Sequence, residues 1–579
     1  MIKLLRFMRP YRAILALVIG LAAVQALANL YLPTLMANIV DDGIVKGDTG
    51  YIWRVGGIML LVAVIGTVAA VVGVYFSSQV ATGFGKIIRA QIFTRVAQFS
   101  LHEFDMISTS SLITRTTNDT TQVQQVMIMM LNMVITAPIT LVAGVILAFS
   151  QDVGLAWILV AAIPILVGFI FLLMSRAIPL FRVVQVKLDK LNLVLDEGLT
   201  GVRVVRAFDR QRHEERRFDD ANLDLTDVTI RVNRLTAALM PVMMLVLNLS
   251  SIAILWFGAL RINAGDMQVG ALIAFLQYAM QILFALLMVS FMFVMLPRAA
   301  ASADRINEVL AIEPEIKDAE QVKLADDQRG YVEFRDVTFS YPGAEEPALS
   351  NISFRAAPGE VTAIIGGTGS GKSTLVSLIP RFYDIDSGSL LVDGVDVREI
   401  AQEHLRSKMG LVPQKTVLFS GTIAENIRYG KEDATEEEIR HAAQVAQASE
   451  FIAEKQDGFD AEIAQGGANV SGGQKQRLSI ARALIRRPEI YLFDDSFSAL
   501  DFKTDARLRA ALKHETRNST VLIVSQRVST VMDADQIIVL DEGRIAGIGT
   551  HQALMKSSEV YRDIVSSQLS VEEIAEEIA

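Results

Sequence analysis

A glycine-rich loop in the second half of the chain carries the clearest chemistry in this sequence. The stretch 366–374 contains the pattern G-x-x-x-x-G-K-[ST], with Gly366, Gly371, Lys372 and Ser373 at its fixed positions. The β-branched apolar run just before the loop predicts a buried strand, and the apolar run after it predicts a helix. A strand, a glycine loop and a helix in this order aim backbone N–H groups and a helix N-terminus at a polyphosphate.

The loop therefore predicts a site for a nucleoside triphosphate and Mg²⁺. Lys372 is expected to reach the β- and γ-phosphates, and the hydroxyl of Ser373 is expected to bind Mg²⁺. The predicted phosphate-binding residues are Gly366, Gly367, Thr368, Gly369, Ser370, Gly371, Lys372, Ser373 and Thr374. An ordinary glycine turn that caps a helix is the simpler alternative, and the complete motif in this context argues against it.

Further polar residues follow or precede other predicted strands. The apolar run 490–493 ends in Asp494 and Asp495, of which the first can hold Mg²⁺ and the second can orient an attacking water. Gln414 follows a short apolar run and can contact both the metal and the water. Tyr341 lies ahead of the loop and can stack on an adenine ring. Singly, Tyr341 and Gln414 are weak signals, since such residues are more often structural.

A second helix start has the character of an anion site. Ser471, Gly472, Gly473 and Gln474 open a helix predicted over 475–485, where a serine, two glycines and free backbone N–H groups coincide. The two phosphate-binding helix ends lie far apart in the chain. This separation suggests that each serves a different nucleotide.

The elements around these residues predict an α/β domain over 331–569. Strands are predicted at 332–341, 361–365, 390–394, 409–412, 490–493, 521–524 and 536–540, and the intervening segments are expected to be helical. A charged linker is predicted over 313–330. An acidic tail is predicted over 570–579.

The first half, 1–312, predicts a membrane domain. The chain has 579 residues, 51% of them hydrophobic, and a mean hydropathy of +0.38, which is high for a soluble protein. Six apolar segments each approach or exceed the roughly 20 residues that a spanning helix needs. They are 14–31, 52–76, 127–149, 155–174, 239–260 and 269–296. The basic N-terminus lacks a cleavage site, so an uncleaved first membrane helix is expected.

Charge distribution predicts the topology and excludes some functions. Basic residues concentrate in the two long connections, 77–126 and 175–238, so these connections and both termini are expected in the cytoplasm. Helical spacing at 77–100 and 182–197 predicts that membrane helices extend beyond the bilayer. The net charge of −10 argues against nucleic acid as a partner. The absence of cysteine excludes disulfides, cysteine-ligated metals and thiol nucleophiles.

The interiors of the spans are uncharged. No Asp, Glu, Lys or Arg lies near the middle of a span, so an ion or proton path has no support. The polar residues within spans are Gln25, Asn29, Asn132, Asn248, Gln277 and Gln281. Methionines are frequent, for example Met280 and Met288. They are either packing and lipid-facing residues or the walls of a deformable cavity for varied hydrophobic ligands.

With these motifs in hand, nearly the whole chain resembles the half-transporters of the ATP-binding cassette (ABC) exporters. The phosphate loop matches Walker A, and Gln414 matches the Q-loop. Val470–Gln474 matches the signature motif, which usually begins with Leu. Asp494 matches the Walker B acid, Ser498–Asp501 matches the D-loop, and Tyr341 matches the A-loop. The resemblance implies a domain-swapped six-helix transmembrane domain followed by an α/β P-loop domain that binds ATP and Mg²⁺.

The same resemblance implies how the motifs work together. ABC exporters are dimers of halves that sandwich two ATP molecules, each between Walker A of one half and the signature of the other. Asp501 of the D-loop is expected to contribute to the nucleotide site. The two segments 103–112 and 200–208 resemble the coupling helices that seat on the nucleotide-binding domains; without the resemblance, plain solvated turns are an equal alternative.

Two positions depart from the family pattern. Asp495 stands where the catalytic Glu is usual, and Gln526 stands where the H-loop His is usual. Asp is one methylene shorter than Glu, and Gln can hydrogen-bond a phosphate but cannot carry a proton. Benign variation is the alternative, but both changes affect the chemistry of one site. We therefore expect slow hydrolysis at this chain's own site.

A homodimer would contain two such defective sites, so the sequence predicts a heterodimer with a homologous, non-identical half-transporter. The expected setting is a bacterial cytoplasmic membrane. The expected substrates are hydrophobic small molecules, either drugs or membrane lipids. A peptide or siderophore transporter and an ATP-gated channel or sensor on the same scaffold remain alternatives.

Overall fold

A computed structural model describes residues 2–319, 321, 323 and 329–568, with the side chains of 290–294 and 297 left aside. The chain forms two compact units. The membrane unit comprises the chain up to Ala97 and then Ser108–Ile312, and the cassette unit comprises Gln98–Ile107 and the chain from Glu313 onward. The acidic tail predicted at 570–579 and seven residues of the predicted linker (320, 322 and 324–328) lie outside the described residues.

Within the described residues, six helices are long and apolar enough to cross a membrane, which confirms the six predicted spans. They are Ile2–Ile44, Thr49–Val96, Thr109–Gln151, Val153–Thr200, Gln211–Asn263 and Val269–Val289, the last being part of a helix that continues to Ala311. The second and fourth helices have 48 residues each. At 1.5 Å per residue such a helix is about 70 Å long, more than twice the roughly 30 Å hydrocarbon core. The predicted helical extensions beyond the bilayer are therefore present.

Buried carboxylates hold both ends of the sixth helix within the membrane unit. At its start, Asp41 accepts hydrogen bonds from the backbone N–H groups of Gly270 (2.6 Å) and Ala271 (3.2 Å). A Cβ at Gly270 would lie 2.5 Å from that carboxylate, so only glycine fits there. Farther along the helix, Asp119 accepts from the hydroxyl of Ser302 (2.9 Å) and from the guanidinium of Arg305 (2.8 Å).

Both predicted reversals contain short helices rather than plain turns. The first consists of Leu101–Ile107 and Thr109–Thr114, separated by Ser108 at φ 59°. The second is Val202–Ala207, which follows Gly201. Glu103 of the first short helix is buried and accepts a hydrogen bond from the backbone N–H of Glu315 (3.0 Å), which joins the two pieces of chain that make up the cassette unit.

The cassette unit contains two main sheets. The strands are β1 (Val332–Phe339), β2 (Leu349–Ala356), β3 (Val361–Gly366), β4 (Ser387–Val392), β5 (Val395–Asp396), β6 (Met409–Val412), β7 (Gly421–Thr422), β8 (Glu462–Ile463), β9 (Ile490–Asp494), β10 (Thr520–Val524), β11 (Gln536–Asp541) and β12 (Arg544–Gly549). In the described part of the chain, one sheet has the order β2-β1-β4-β5 and the other the order β12-β11-β3-β10-β9-β6. Strands β7 and β8 pair separately.

Helices connect and cover these strands. They are Lys372–Leu378, Gln402–Ser407, Ile423–Arg428, Glu436–Val445, Ser449–Ala453, Gly472–Leu484, Phe502–Glu515, Val528–Val531, His551–Ser557 and Glu559–Ser566. Buried residues of the strands and helices form the apolar cores on the faces of the sheets.

The prediction that the segments between the expected strands are helical was wrong at β2 and β12, and also at the two-residue strands β5, β7 and β8. In β2, Asn351 adopts φ 50° at an irregularity in the pairing with β1, and this interrupts the alternation of buried and exposed residues. β12 is an edge strand with two glycines and no fully buried residue. In β2 the alternation of buried and exposed residues is regular only over Ile352–Ala356, and β12 has no buried apolar face, so each carries a shorter or weaker strand signal than a long alternating run.

The larger sheet brings the ends of distant segments to one edge. Strands β11, β3, β10, β9 and β6 are all parallel. Val524 at the end of β10 lies opposite Ile364 of β3 on one side and opposite Asp494 of β9 on the other. The segments that follow these strands therefore emerge side by side, as expected of a ligand site in an open α/β sheet.

A buried charge pair is expected to stabilise the cassette unit. Asp393 is 0% exposed, adopts φ 53°, accepts from the backbone N–H of Tyr331 (2.8 Å) and pairs with Lys408. Asp393→Ala leaves the lysine without this partner and should lower the free energy of unfolding by about 3 kcal/mol. Scanning calorimetry of the full chain should then show the cassette transition falling by about 10 °C.

Asp393→Asn is the matched control for this substitution. Asparagine tolerates the left-handed backbone and can still accept from Tyr331, so only the charge is removed. Its transition temperature should lie between those of the wild type and of Asp393→Ala. An unchanged transition in Asp393→Ala would show that the pair does not contribute to stability.

Candidate functional site

The phosphate loop folds tightly because two of its glycines touch other backbone segments. A Cβ at Gly366 would lie 2.2 Å from the carbonyl oxygen of Leu540, and one at Gly371, where φ is +94°, would lie 2.8 Å from the carbonyl oxygen of Ala348. Gly367 has open space on its outer side. Gly367, Thr368 and Gly369 form an exposed rim, whereas Ser370 and Thr374 are buried below it. The loop therefore leaves its backbone open to a ligand at the start of helix Lys372–Leu378.

Lys372 lies beneath this rim and is only 7% exposed. Its Nζ donates to the carbonyl oxygens of Gly366 (2.9 Å) and Gly367 (2.6 Å). Burial lowers the pKa of Lys372, and the charges of Asp495 and Asp494 oppose this shift. A buried ammonium held at the loop fits a polyphosphate, whose negative charge would compensate for the hydration that burial removes.

Ser373 and Asp494 form the candidate Mg²⁺ position. The Ser373 hydroxyl donates to Oδ1 of Asp494 at 2.9 Å. Burial raises the pKa of Asp494, and Asp495 adds to the shift, while Ser373 and Lys372 oppose it. These oxygens are ligands of the kind that Mg²⁺ prefers. The described residues contain no cluster of three carboxylate, histidine or cysteine side chains, which fits an ion that takes most of its ligands from phosphates and water.

The three predicted catalytic residues follow neighbouring parallel strands. Asp495, at φ 47°, donates its backbone N–H to the carbonyl oxygen of Val524 (3.0 Å) and so lies beside the end of β10. Gln526 follows β10, and its side chain is exposed, while its carbonyl oxygen accepts from Nε2 of Gln568 (2.7 Å). Gln414 follows β6 and is also exposed. The structure thus brings together, at one sheet edge, residues that the sequence keeps apart.

Tyr341 stands beside the phosphate loop. Its hydroxyl is 2.9 Å from Oγ1 of Thr374, the last of the predicted phosphate-binding residues. Its ring lies edge-on to Phe339 (centroids 5.0 Å apart) and to Tyr383 (5.4 Å) and remains 38% exposed. A ring held in this way can offer an open face to a planar base.

The signature residues begin helix Gly472–Leu484 as predicted. Ser471 accepts from the N–H of Gln474 (3.3 Å), and the Gln474 amide accepts from the N–H of Ser471 (3.0 Å), so both side chains cap the helix. A Cβ at Gly473 would lie 3.1 Å from the carbonyl oxygen of Ala499, and Gly472 is open. Within the described residues, no hydrogen bond joins Ser471–Gln474 to the phosphate loop.

Asp501 serves as a helix cap in the structure. Its Oδ1 accepts from the backbone N–H of Thr504 (2.9 Å) and begins helix Phe502–Glu515. Interaction with the Thr504 side chain, followed by this backbone hydrogen bond, lowers the pKa of Asp501. The sequence predicted a nucleotide-site role for Asp501, and that role stays a prediction.

Comparison with known proteins identifies the family. Residues 15–286 match the family model of the ABC transporter transmembrane region, and residues 349–498 match the family model described as ABC transporter. An uncharacterised ABC transporter ATP-binding protein of Mycobacterium tuberculosis is 46% identical over 97% of both chains. The chain belongs to the ABC transporters.

Two further comparisons place it among the exporters. An ATP-dependent lipid A-core flippase of Chromobacterium violaceum is 32% identical over 98% of this chain and 97% of its own length. The solved structure of a bacterial Atm1-family ABC exporter with ATP bound has a TM-score of 0.81 and 25% identity, covering 97% of this chain and 99% of that chain. The ABC half-transporter fold predicted from the sequence is confirmed, and the activity of this class is transport coupled to ATP hydrolysis.

The ABC cassette also contains site residues that the sequence did not reveal. Phe339 and Tyr383 hold the ring of Tyr341, and the carbonyl of Leu540 requires glycine at position 366. These contacts join residues that are distant in the chain, and no local pattern indicates them.

Substitution of Tyr341 tests whether its ring binds adenine. Tyr341→Ala should weaken ATP binding by about tenfold or more, since stacking of a base on an aromatic ring contributes roughly 1–3 kcal/mol. Tyr341→Phe loses only the hydroxyl contact with Thr374 and should stay within about threefold of the wild type. Calorimetric titration with ATP measures both affinities. Equal losses in the two variants would assign the effect to the hydroxyl instead of the ring.

Proposed function

We propose that this chain is one subunit of a heterodimeric ABC exporter and that its own ATP site hydrolyses slowly. In this proposal the phosphate loop holds ATP and Mg²⁺ through Lys372, Ser373 and Asp494. The signature Ser471–Gln474 completes the site of a homologous, non-identical partner. The observation that carries the proposal is the presence of Asp495 and Gln526 at the two positions where proton chemistry is expected.

Asp495 is poorly suited to act as the general base. Its backbone is held beside β10 by the hydrogen bond to Val524, so the side chain must reach the water from a fixed point. An aspartate carboxylate lies one C–C bond, about 1.5 Å, short of a glutamate carboxylate from the same point. Such a displacement in a catalytic group is sufficient to cost about 10²-fold in rate.

Gln526 affects the same step. Its amide can donate a hydrogen bond to a phosphate oxygen, but it has no titratable proton. A positioned acid or base contributes about 10²–10⁴-fold, so the two replacements together favour a slow site. The phosphate-binding and metal-binding residues are retained, so the proposed site keeps its ability to bind ATP and Mg²⁺ although its hydrolysis is slow.

Hydrophobic compounds, either drugs or membrane lipids, are the proposed substrates. The relative named as a lipid A-core flippase supports the lipid class, and the uncharged interiors of the spans agree with hydrophobic cargo. The proposed location is the bacterial cytoplasmic membrane with both termini in the cytoplasm. The basic residues in 77–126 and 175–238 support this orientation.

The ATPase activity of the isolated chain tests the heterodimer. Purified alone and returned to lipid, it should bind ATP but turn over at least about tenfold more slowly than the complex with its homologous half-transporter, because its own base and acid are impaired. Phosphate release measures turnover, and ATP titration of the same sample shows that the cassette is folded. Turnover equal to that of the complex would contradict the proposal.

Restoring the missing methylene tests the role of Asp495. In the isolated chain, Asp495→Glu should raise turnover by about tenfold or more, and adding Gln526→His should raise it further. Asp495→Asn is the matched control, since it keeps the length but removes the base, and should not raise turnover. If the Glu and Glu/His variants remain as slow as the wild type, these two positions do not limit hydrolysis.

A further inference from the structure

A cavity of about 670 Å³ lies among the first, third and sixth helices of the membrane unit. Its volume falls in the range of sites that bind drug-sized molecules. Apolar side chains form much of its wall, including Met133, Met280, Met288 and Phe284. Met280 and Phe284 are also among the exposed hydrophobic residues of the membrane unit. The cavity can therefore accommodate an apolar body of variable shape, since methionines repack readily.

Amide side chains gather on the same wall. Gln25 and Asn29 of the first helix and Gln277 and Gln281 of the sixth helix all line the cavity. The sequence places only two other amides within the spans, Asn132 and Asn248, and neither of them lines this cavity. Thr136 and Thr140 of the third helix add hydroxyl groups. The helices thus converge most of their in-span amides on one space.

These amides have unused hydrogen-bonding capacity. Gln281 makes one long contact, from Nε2 to the backbone carbonyl of Asn29 (3.4 Å). In the described part of the chain, the side-chain amides of Gln25, Asn29 and Gln277 have no protein partner. Asn132, outside the cavity, is by contrast bonded to the hydroxyl of Ser77 (2.8 Å). Asn29 and Gln277 are exposed and Gln25 is partly exposed, so these amides are free to bind the polar part of a ligand.

The lining also restricts the charge of that ligand. Among the described residues that line the cavity, none is Asp, Glu, Lys, Arg or His. A phosphate or a quaternary ammonium group in such a space would lack a counter-ion and would pay a large desolvation cost. Neutral amide and hydroxyl groups, in contrast, pair well with amides that can both donate and accept.

We infer that this cavity binds an uncharged amphiphile, with Gln25, Asn29, Gln277 and Gln281 recognising its amide- or hydroxyl-bearing head and the methionines and Phe284 contacting its apolar body. The inference rests on the proposed export function and narrows the substrate class: phosphate-bearing lipids are not bound here. Asn29 and Gln277 are thus specificity-determining residues.

Binding of three probes to the full heterodimeric complex in nanodiscs tests the inference. The probes share a dodecyl chain and carry a polyhydroxy amide (N-methylglucamide), a phosphate or a trimethylammonium head. Equilibrium dialysis of radiolabelled probes gives each affinity without relying on turnover. The neutral probe should bind at least about tenfold more tightly than either charged probe, because only its head forms hydrogen bonds without an unpaired charge.

Matched substitutions assign the effect to the cavity. Asn29→Leu and Gln277→Leu should each weaken the neutral probe by about fivefold, since each removes one polar partner. Asn248→Leu removes an exposed in-span amide outside the cavity and should leave the affinity unchanged. Gln281→Lys should strengthen binding of the phosphate probe by supplying a cation.

The inference would be overturned by equal affinities for the three probes, by tighter binding of the phosphate probe, or by no binding of the neutral probe. It would also be overturned if Asn29→Leu and Asn248→Leu weakened binding of the neutral probe equally. ATP turnover of the same complex separates this inference from the proposed function. Selective, amide-dependent binding without any stimulation of turnover would support the cavity assignment and count against export. Stimulation of ATP turnover by the probes without selectivity for the head group would support export and count against the cavity assignment.

Discussion

The parallel pairing of β3, β10, β9 and β6 is the constraint on which the nucleotide site depends. Val524 lies between Ile364 and Asp494 in register, so the loop, Gln526 and the two aspartates emerge at one edge. Gln414 joins them from the end of β6. A slip of β9 by one residue would turn Asp494 to the opposite face of the sheet and separate it from Ser373. Sheet register, more than any local loop conformation, therefore assembles the site.

The sequence was informative where the signal is local and repeated. Six long apolar runs predicted the six spans, and a complete motif between a strand and a helix predicted the phosphate loop. It was uninformative where structure depends on distant partners. The irregular strand Leu349–Ala356 forms because β1 pairs with it, and the ring of Tyr341 is held by Tyr383 from a separate segment. Asp501 was recognised by its motif, but the motif did not show that its carboxylate caps a helix.

ATP binding and ATP hydrolysis depend on different atoms of the site. In the proposed function, the chain therefore retains ATP binding while losing much of its hydrolysis. The binding cluster consists of Lys372, Ser373 and Asp494. Lys372 donates to the loop carbonyl of Gly366, and the adjacent Ser373 hydroxyl donates to Asp494 at 2.9 Å. Neither Asp495 nor Gln526 contributes a side-chain hydrogen bond to that cluster in the described structure. A general base lowers the barrier only in the transition state, so its impairment leaves the ground-state affinity for nucleotide largely intact. In the proposed function, the two replacements therefore favour long occupancy of this site by ATP.

The inferred cavity must present polar groups to a ligand, and the membrane unit must remain stable when that cavity is empty. A charged side chain in the bilayer would need a permanent counter-ion, whereas an amide is far less costly and can be solvated by water between ligands. Rotation of an amide exchanges its donor and acceptor ends, and methionines alter shape at little cost. A wall built from Gln25, Asn29, Gln277 and Gln281 beside Met280 and Met288 can thus adapt to many neutral compounds. The lining in the described structure supplies no cation to neutralise a phosphate, so the same choice of residue type explains both the breadth for neutral ligands and the inferred selection against charged ones.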